Sequence, residues 1–239
     1  MAAYKENKVK RINIKSFEDN GEESESFFCT KKIKKNYKLT ELFTRADMAP
    51  ASLFVSNFDN EGKLLRTNDS SSIIVKNMQY KYDDKKRIVS IFSTVSSKDV
   101  DFNNSITEAH IYKYNGNNPA QLQIIKNLND TTLILFSVDE NGNIALEKNT
   151  KTGKKYFYYY DAKNQLTDIV PSSEDGKRLK PDYIFEYNNA GLITKMTSVE
   201  EGSSNYFVWR YEYTGNLRIK EKCFTNERRL MGSVEYEYK

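Results

Sequence analysis

Residues 156–166 read Tyr156-Phe157-Tyr158-Tyr159-Tyr160-Asp161-Ala162-Lys163-Asn164-Gln165-Leu166. An aromatic run ends in Tyr160, Asp161 opens a short polar stretch, Asn164 follows three residues later, and Leu166 resumes the apolar pattern. Asp and Asn bond their own backbone a little further on, and Gly or Asn tolerates the left-handed region, so this segment predicts a tight turn between two strands. The same order returns in Phe58-Asp59-Asn60-Glu61-Gly62-Lys63-Leu64, Tyr82-Asp83-Asp84-Lys85-Lys86-Arg87-Ile88, Val138-Asp139-Glu140-Asn141-Gly142-Asn143-Ile144 and Tyr187-Asn188-Asn189-Ala190-Gly191-Leu192-Ile193. Looser copies stand at Tyr114-Asn115, with a longer turn before Leu122, and at Tyr213, where Thr214-Gly215-Asn216-Leu217 shortens it. A half copy, Val234 to Tyr238, ends the chain. The anchors at 58, 82, 114, 138, 160, 187, 213 and 238 lie 24, 32, 24, 22, 27, 26 and 25 residues apart, which is one hairpin per period. Gly62, Gly142, Asn164 and Gly191 suit the left-handed position; Lys86 suits it least, and a locally adjusted turn is expected there.

The strands alternate. Tyr80 and Tyr82, His110 with Tyr112 and Tyr114, Tyr158 and Tyr160, Phe185 and Tyr187, Trp209 with Tyr211 and Tyr213, and Tyr236 with Tyr238 stand two apart, separated mostly by polar residues such as Lys81, Lys113, Glu186, Glu212 and Glu237. After the turns, Ile88 with Ser90 and Phe92, Leu122 with Ile124, Ile144 with Leu146, and Leu217 with Ile219 keep the period. Such alternation marks antiparallel strands with one covered and one wet face. The expected fold is all-β: an antiparallel meander of hairpins repeating every ~25 residues, seven of which supply about 14 strands in a curled sheet or flattened barrel. Neighbouring aromatics should form cross-strand ladders worth about 0.2–1 kcal/mol per pair.

Two regions are expected. Residues 1–52 form an N-terminal arm that caps an open end of the array, with one strand over Val9 to Phe17 and a short helix over Thr40 to Ala49, capped by Thr40 and stopped by Pro50. Residues 53–239 form the repeat domain. The polar insertions Thr94 to Ser105, Pro171 to Pro181 and Val199 to Asn205 each join one hairpin to the next, so they should gather at the edge opposite the Asp/Gly turns.

Composition narrows the function classes. The 239 residues are 38% hydrophobic, yet 17 Tyr, 13 Phe and 1 Trp make 13% aromatic. With a mean hydropathy of -0.74 and no apolar run near the roughly 20 residues a membrane helix needs, a helical membrane span is excluded. Ten Gly, four Pro and two Cys exclude collagen-like, low-complexity and disulfide-framework chains. The net charge of +4 resides in the first 45 residues, with 11 basic and 7 acidic side chains, but Glu22, Glu23 and Glu25 blunt the field of Lys31, Lys32, Lys34, Lys35 and Lys38. Nucleic acid and anionic membrane are therefore disfavoured partners. Cys29 and Cys223 lack metal or redox spacing and each adjoins a Phe, so two buried thiols are expected. Met1 to Lys10 carries no signal-peptide pattern, which fits either a true start or the point where a leader was removed.

At the Tyr-Asp-x-x-Gly-x-Leu turns the chain resembles the YD-repeat class, the tyrosine–aspartate repeats of RHS and related bacterial surface and toxin-shell proteins, over roughly Leu53 to Lys239. It also resembles secreted bacterial proteins of unknown function built from degenerate copies of the repeat. The resemblance implies a winding antiparallel sheet and a periplasmic, outer-membrane-associated or secreted setting; no catalytic residue comes with it, because the repeat has none.

The candidate chemistry is sparse. His110 is the single histidine, so no triad or multi-histidine metal site can be assembled, and packing among aromatics accounts for it. Asp83 with Asp84, Asp139 with Glu140, and Glu235 with Glu237 fall in turns or on the polar face rather than facing each other across a cleft. No catalytic residue, metal or cofactor is expected, and the chain is read as non-enzymatic. Two functions of different class stand in front: a secreted or envelope-associated scaffold or binding protein for a protein or glycan partner, and a curled sheet whose Tyr/Trp-lined interior takes a carbohydrate or lipid through Trp209, Tyr211 and Tyr158. An outer-membrane-type barrel ranks behind both, because most strands alternate for fewer than the roughly 9–11 residues a spanning strand needs.

Overall fold

The computed structural model describes residues 1–99, 105–172, 180–199 and 205–239. One short helix, α1 (Ala2–Glu6), precedes eighteen strands among the described residues. Three come from the N-terminal arm: β1 (Arg11–Phe17), β2 (Phe28–Lys34) and β3 (Leu39–Arg45). Then follow β4 (Ser52–Phe58), β5 (Leu64–Ser70), β6 (Ile74–Tyr82), β7 (Ile88–Ser97), β8 (Ser105–Asn115), β9 (Asn118–Lys126), β10 (Asp130–Val138) and β11 (Ile144–Asn149). The chain ends with β12 (Lys155–Tyr160), β13 (Leu166–Pro171), β14 (Tyr183–Tyr187), β15 (Ile193–Val199), β16 (Tyr206–Thr214), β17 (Leu217–Thr225) and β18 (Leu230–Tyr238). Each strand pairs antiparallel with its neighbours in sequence, and β1 also pairs with β18, so the meander closes into an eighteen-stranded barrel. The fifteen strands from β4 onward match the fourteen or so expected from the repeat. The other three come from the arm and belong to the same sheet.

The turns follow the repeat. Asp59, Asp83, Asp139, Asp161 and Asn188 each donate the backbone N–H to the carbonyl four residues on, at 2.8–2.9 Å. Their Oδ1 atoms accept from the backbone N–H four residues on as well, as in Lys63 to Asp59 at 2.8 Å and Leu192 to Asn188 at 3.0 Å. The third residue after each is left-handed: Gly62 at φ 87°, Lys86 at 67°, Gly142 at 83°, Asn164 at 66° and Gly191 at 78°. The expected adjustment at Lys86 does not occur. Asp83 holds that turn through two bonds to Arg87, one from its N–H at 2.9 Å and one from its Nε at 2.8 Å, and Lys86 Nζ pairs with Glu61 at 2.8 Å. Local bonding overrides the side chain's reluctance.

Directly paired residues share a face of the sheet, and the register can be followed round the barrel. Starting from Ile12, which is 2% exposed, the inner face passes through Tyr238 to Val234, Glu221 and Tyr211. From Trp209 beside it, the row continues through Met196, Phe185 and, one step along β14, Tyr183 to Ile169 and Tyr158. Tyr156, Glu147, Phe136, Leu122, Tyr112, His110, Ile91 and Tyr80 carry it onward. Thr67, Ser56, Thr40 and Ile33 then return it to β1. The tyrosine and tryptophan anchors therefore line the inside.

That inside is hollow. A barrel of this many strands is too wide for its side chains to fill. The accessible surface of 15592 Å² exceeds the about 11,000 Å² that a compact chain of this mass exposes. Among the described residues only Val9, Ile12, Cys29, Ile33, Ile134 and Val170 are buried apolar side chains, and Val9, Ile12 and Ile33 form one cluster beside the β18–β1 seam.

Several expectations change. Thr40 to Ala49 is not a helix: β3 covers Leu39–Arg45, paired on one side with β2 and on the other with β4. Two ladders of backbone bonds outweigh a local helix signal, and Thr40 is buried inside rather than capping. The one-strand arm becomes three strands plus α1. Phe92 and Leu146 face outward, because the register shifts at Lys81/Tyr82 and Ser137/Val138 move the parity by one and turn Ile91 and Glu147 inward. Cys29 is buried, Cys223 only partly, and both are free thiols. Of the expected insertions, Thr94 to Ser97 belong to β7, and the rest of that expectation falls mainly on 100–104, 173–179 and 200–204, which lie outside the described residues.

Candidate functional site

Continuous aromatic ladders do not form. Ring pairs among the described residues are Tyr4 with Tyr238, Phe28 with Phe43, and Tyr183 with Phe185. Tyrosine strands alternate instead with aliphatic ones, as in Tyr80 against Ile91, Tyr112 against Leu122 and Tyr158 against Ile169.

The anchor hydroxyls have a separate use that the sequence did not suggest. Tyr82 donates to the Leu64 carbonyl at 2.8 Å, Tyr114 to Ile88 at 2.8 Å, Tyr160 to Ile144 at 3.0 Å, Tyr187 to Leu166 at 2.7 Å, Tyr213 to Ile193 at 2.8 Å and Tyr238 to Arg218 at 2.5 Å. Each acceptor lies two residues short of the first registered pair with the next strand: Leu64 before Arg66, Ile88 before Ser90, Leu166 before Asp168. The phenol thus satisfies a carbonyl where adjacent hairpins splay apart toward the turns. Phe58 and Val138 lack the hydroxyl and interrupt the series.

The three residues singled out for ligand contact all fall on the inner wall, in two places. Trp209 and Tyr211 neighbour each other on β16, Trp209 opposite Cys223 and Met196. The Arg218 guanidinium lies 4.1 Å from the Tyr211 ring centroid, and its Nη1 is 3.0 Å from Glu221. Glu221 also accepts from the Tyr236 hydroxyl at 3.0 Å. Four strands away, the Tyr158 hydroxyl donates to Glu147 at 2.9 Å. Burial, and then the adjacent carboxylate, push the Tyr158 and Tyr236 phenols well above their ordinary range. Burial, followed by the neighbouring Tyr4, brings Tyr238 to about 12. These phenols remain protonated donors. Glu147, Arg218 and Glu221 escaped notice in the sequence because the bulge parity that turns them inward depends on pairing.

A cavity of about 690 Å³ lies at the turn end, lined by Tyr213, Arg218, Tyr236 and Tyr238 on the wall, by Ala3 and Tyr4 from α1 and by Met1 just before it. Asn216 fixes α1 in place: the Asn7 Nδ2 donates to its Oδ1 at 2.8 Å, and its Nδ2 donates to Glu6 at 2.7 Å. The segment of the arm at this cavity is α1, not the helix expected over Thr40 to Ala49.

Remaining candidates are accounted for by simple pairing. His110 Nε2 sits 2.6 Å from Glu108, with Lys126 3.6 Å from the same carboxyl. Glu235 pairs with Lys220 on the outer face, and Asp83 and Asp139 serve their turns. Among the described residues no group of three or more His, Cys, Asp or Glu could hold a metal ion, and no helix is long and apolar enough to cross a membrane.

No family model matches the chain. Human teneurin-1 is 30% identical over 186 residues, 75% of this chain and 6% of that protein. Mouse teneurin-4 is 32% identical over 117 residues, 46% of this chain and 4% of that protein. The chain thus spans about 6% of the length of the curated relatives it matches. Among solved structures, a TcdB2-TccC3-Cdc42 complex superposes with a TM-score of 0.40 at 11% identity, over 88% of this chain and 12% of that one. A porin-like protein from Bacteroides uniformis gives 0.37 at 10% identity, over 97% and 98%. Turn chemistry, period and teneurin similarity together relate this chain to the YD/RHS-like β-repeats.

Proposed function

We propose that the chain is a non-enzymatic binding shell of the cell envelope or extracellular space, and that its hollow interior takes a carbohydrate. The closed ring with an aromatic yet polar inner wall carries this reading. Trp209 and Tyr211 offer ring faces, while Arg218, Glu221, Glu147, His110 and Glu108 supply donors and acceptors, the mixture that suits a hydroxyl-rich ligand. A lipid tail would desolvate these polar groups without bonding to them. Among the described residues, the inner-face Glu108, Glu147 and Glu221 are each already engaged, by His110 and Lys126, by Tyr158, and by Arg218 and Tyr236, which favours a binding role for them over acid–base work.

A second reading, a scaffold that binds through its outer face, is favoured by the six anchor phenols already bonded to backbone. An outer-membrane barrel fits poorly: the outward rows of β5 and β6 carry Arg66, Asn68, Asn77, Gln79 and Lys81 where a lipid-facing band of about 25 Å would have to stand. Trp209 fluorescence separates the first two. Titration with oligosaccharides should shift its emission and raise the melting temperature; no change in either across a glycan panel overturns the interior site and leaves the scaffold.

A further inference from the structure

The outer face carries a feature that the lumen does not explain. Ile184, Thr197, Val208 and Phe224 stand in register across β14, β15, β16 and β17, forming one mostly apolar row on the outside of the barrel. They face away from Trp209, which is one residue along β16 from Val208. Val199, Tyr206 and Pro181 extend this floor into a groove of about 840 Å³, within the size range of small-ligand sites.

Its rim is cationic. Lys180, Lys195, Arg210 and Arg228 line the groove, and among the described residues no Asp or Glu does. Lys195 pairs with Glu186 at 2.7 Å, while the Arg210 guanidinium lies 5.3 Å from the Phe224 ring, over the apolar floor. An apolar row one residue wide beside unbalanced positive charge is complementary to a molecule with one acyl chain and one anionic head. It does not suit an added peptide strand, since every strand here is paired on both sides and offers no free edge. Three interstrand steps make the row roughly 14 Å long, long enough to cover most of a medium acyl chain.

We propose that this groove binds a single-chain anionic amphiphile, a fatty carboxylate, with the chain along Ile184–Thr197–Val208–Phe224 and the carboxylate at Arg210 and Arg228. The site is independent of the lumen, and Trp209, on the opposite face, should not report it.

Calorimetric titration of the intact chain with dodecanoate, below its micelle concentration, tests this. One molecule should bind per chain, and Arg210→Glu or Val208→Glu should each weaken binding by about tenfold or more. Acetate and dodecyltrimethylammonium should bind at least as much more weakly. Arg210 is exposed, so Arg210→Glu keeps the test decisive should Val208→Glu unfold. Absence of dodecanoate binding, equal binding of the cationic amphiphile, indifference to Arg210→Glu, or binding confined to phosphatidylglycerol vesicles would each overturn the proposal.

Discussion

The seam and the repeat wall of this barrel are held together by different means. Where β18 meets β1 and β2, Val9, Ile12 and Ile33 are buried against Met1, Tyr4, Ile14, Tyr37, Leu217, Tyr236 and Tyr238. Around β6 to β14 only Ile134 and Val170 are buried apolar residues among the described ones; there the hairpins are joined by ladder bonds and by phenols donating to carbonyls two residues before the next pairing begins. Except at Phe58 and Val138, each anchor of the repeat ties its hairpin to the one before it by a phenol bond that the motif supplies. Closing the ring joins strands more than 200 residues apart, and the loop entropy of doing so must be offset by something outside the motif, which here is a small apolar cluster.

That contrast can be broken most forcefully at the seam. Ile12→Ala should cost about 2–5 kcal/mol and lower the calorimetric melting temperature, with loss of protection from hydrogen exchange concentrated in β1, β2 and β18. Even loss of protection around the barrel would mean that the seam has no separate role. In the wall, Tyr187→Phe should cost about 0.5–1.5 kcal/mol, since it leaves one carbonyl without its donor, and Tyr82→Phe should add to it because the two sites share no partner. Strong coupling between them would show the wall to be a single unit rather than a chain of local ties.

The smallest effect concerns the turns. Asp59 is held below the ordinary carboxylate range first by the Lys63 N–H, Asp83 by the Arg87 side chain and Asp139 by the Asn143 side chain. A depressed folded-state pKa contributes stability above the unfolded value, and that contribution is lost as pH falls through the folded one. The melting temperature should therefore hold from neutrality to about pH 4 and fall below it, with Asp83→Asn flattening the fall. The Asn188 turn, which has the same bonds and no charge, is the built-in control. An unchanged acid slope in Asp83→Asn would remove the turn aspartates from the account.

Much of the wall was legible in the residues. Asp59, Asp83, Asp139, Asp161 and Asn188 marked the turns correctly, and the tyrosines marked the inner face, because turn bonding and strand alternation act over a few residues. Less of the candidate site was legible. Trp209, Tyr211 and Tyr158 could be placed on one face, but Arg218, Glu221 and Glu147 could not, since a one-residue bulge decides which of two neighbours turns inward. Lys86 went the other way: an unfavourable residue was carried by the bonds around it.

From its sequence alone this protein was determined to be a run of antiparallel hairpins with aromatic residues on one face and Asp or Asn at the turns, since those features are local. Whether Thr40 to Ala49 would be helix or strand, and whether the sheet would close, was decided only by the tertiary structure. Both depend on pairing with distant partners, β3 between β2 and β4, and β1 against β18. Closure then set what the tyrosines mean, turning a covered sheet face into the wall of a hollow interior.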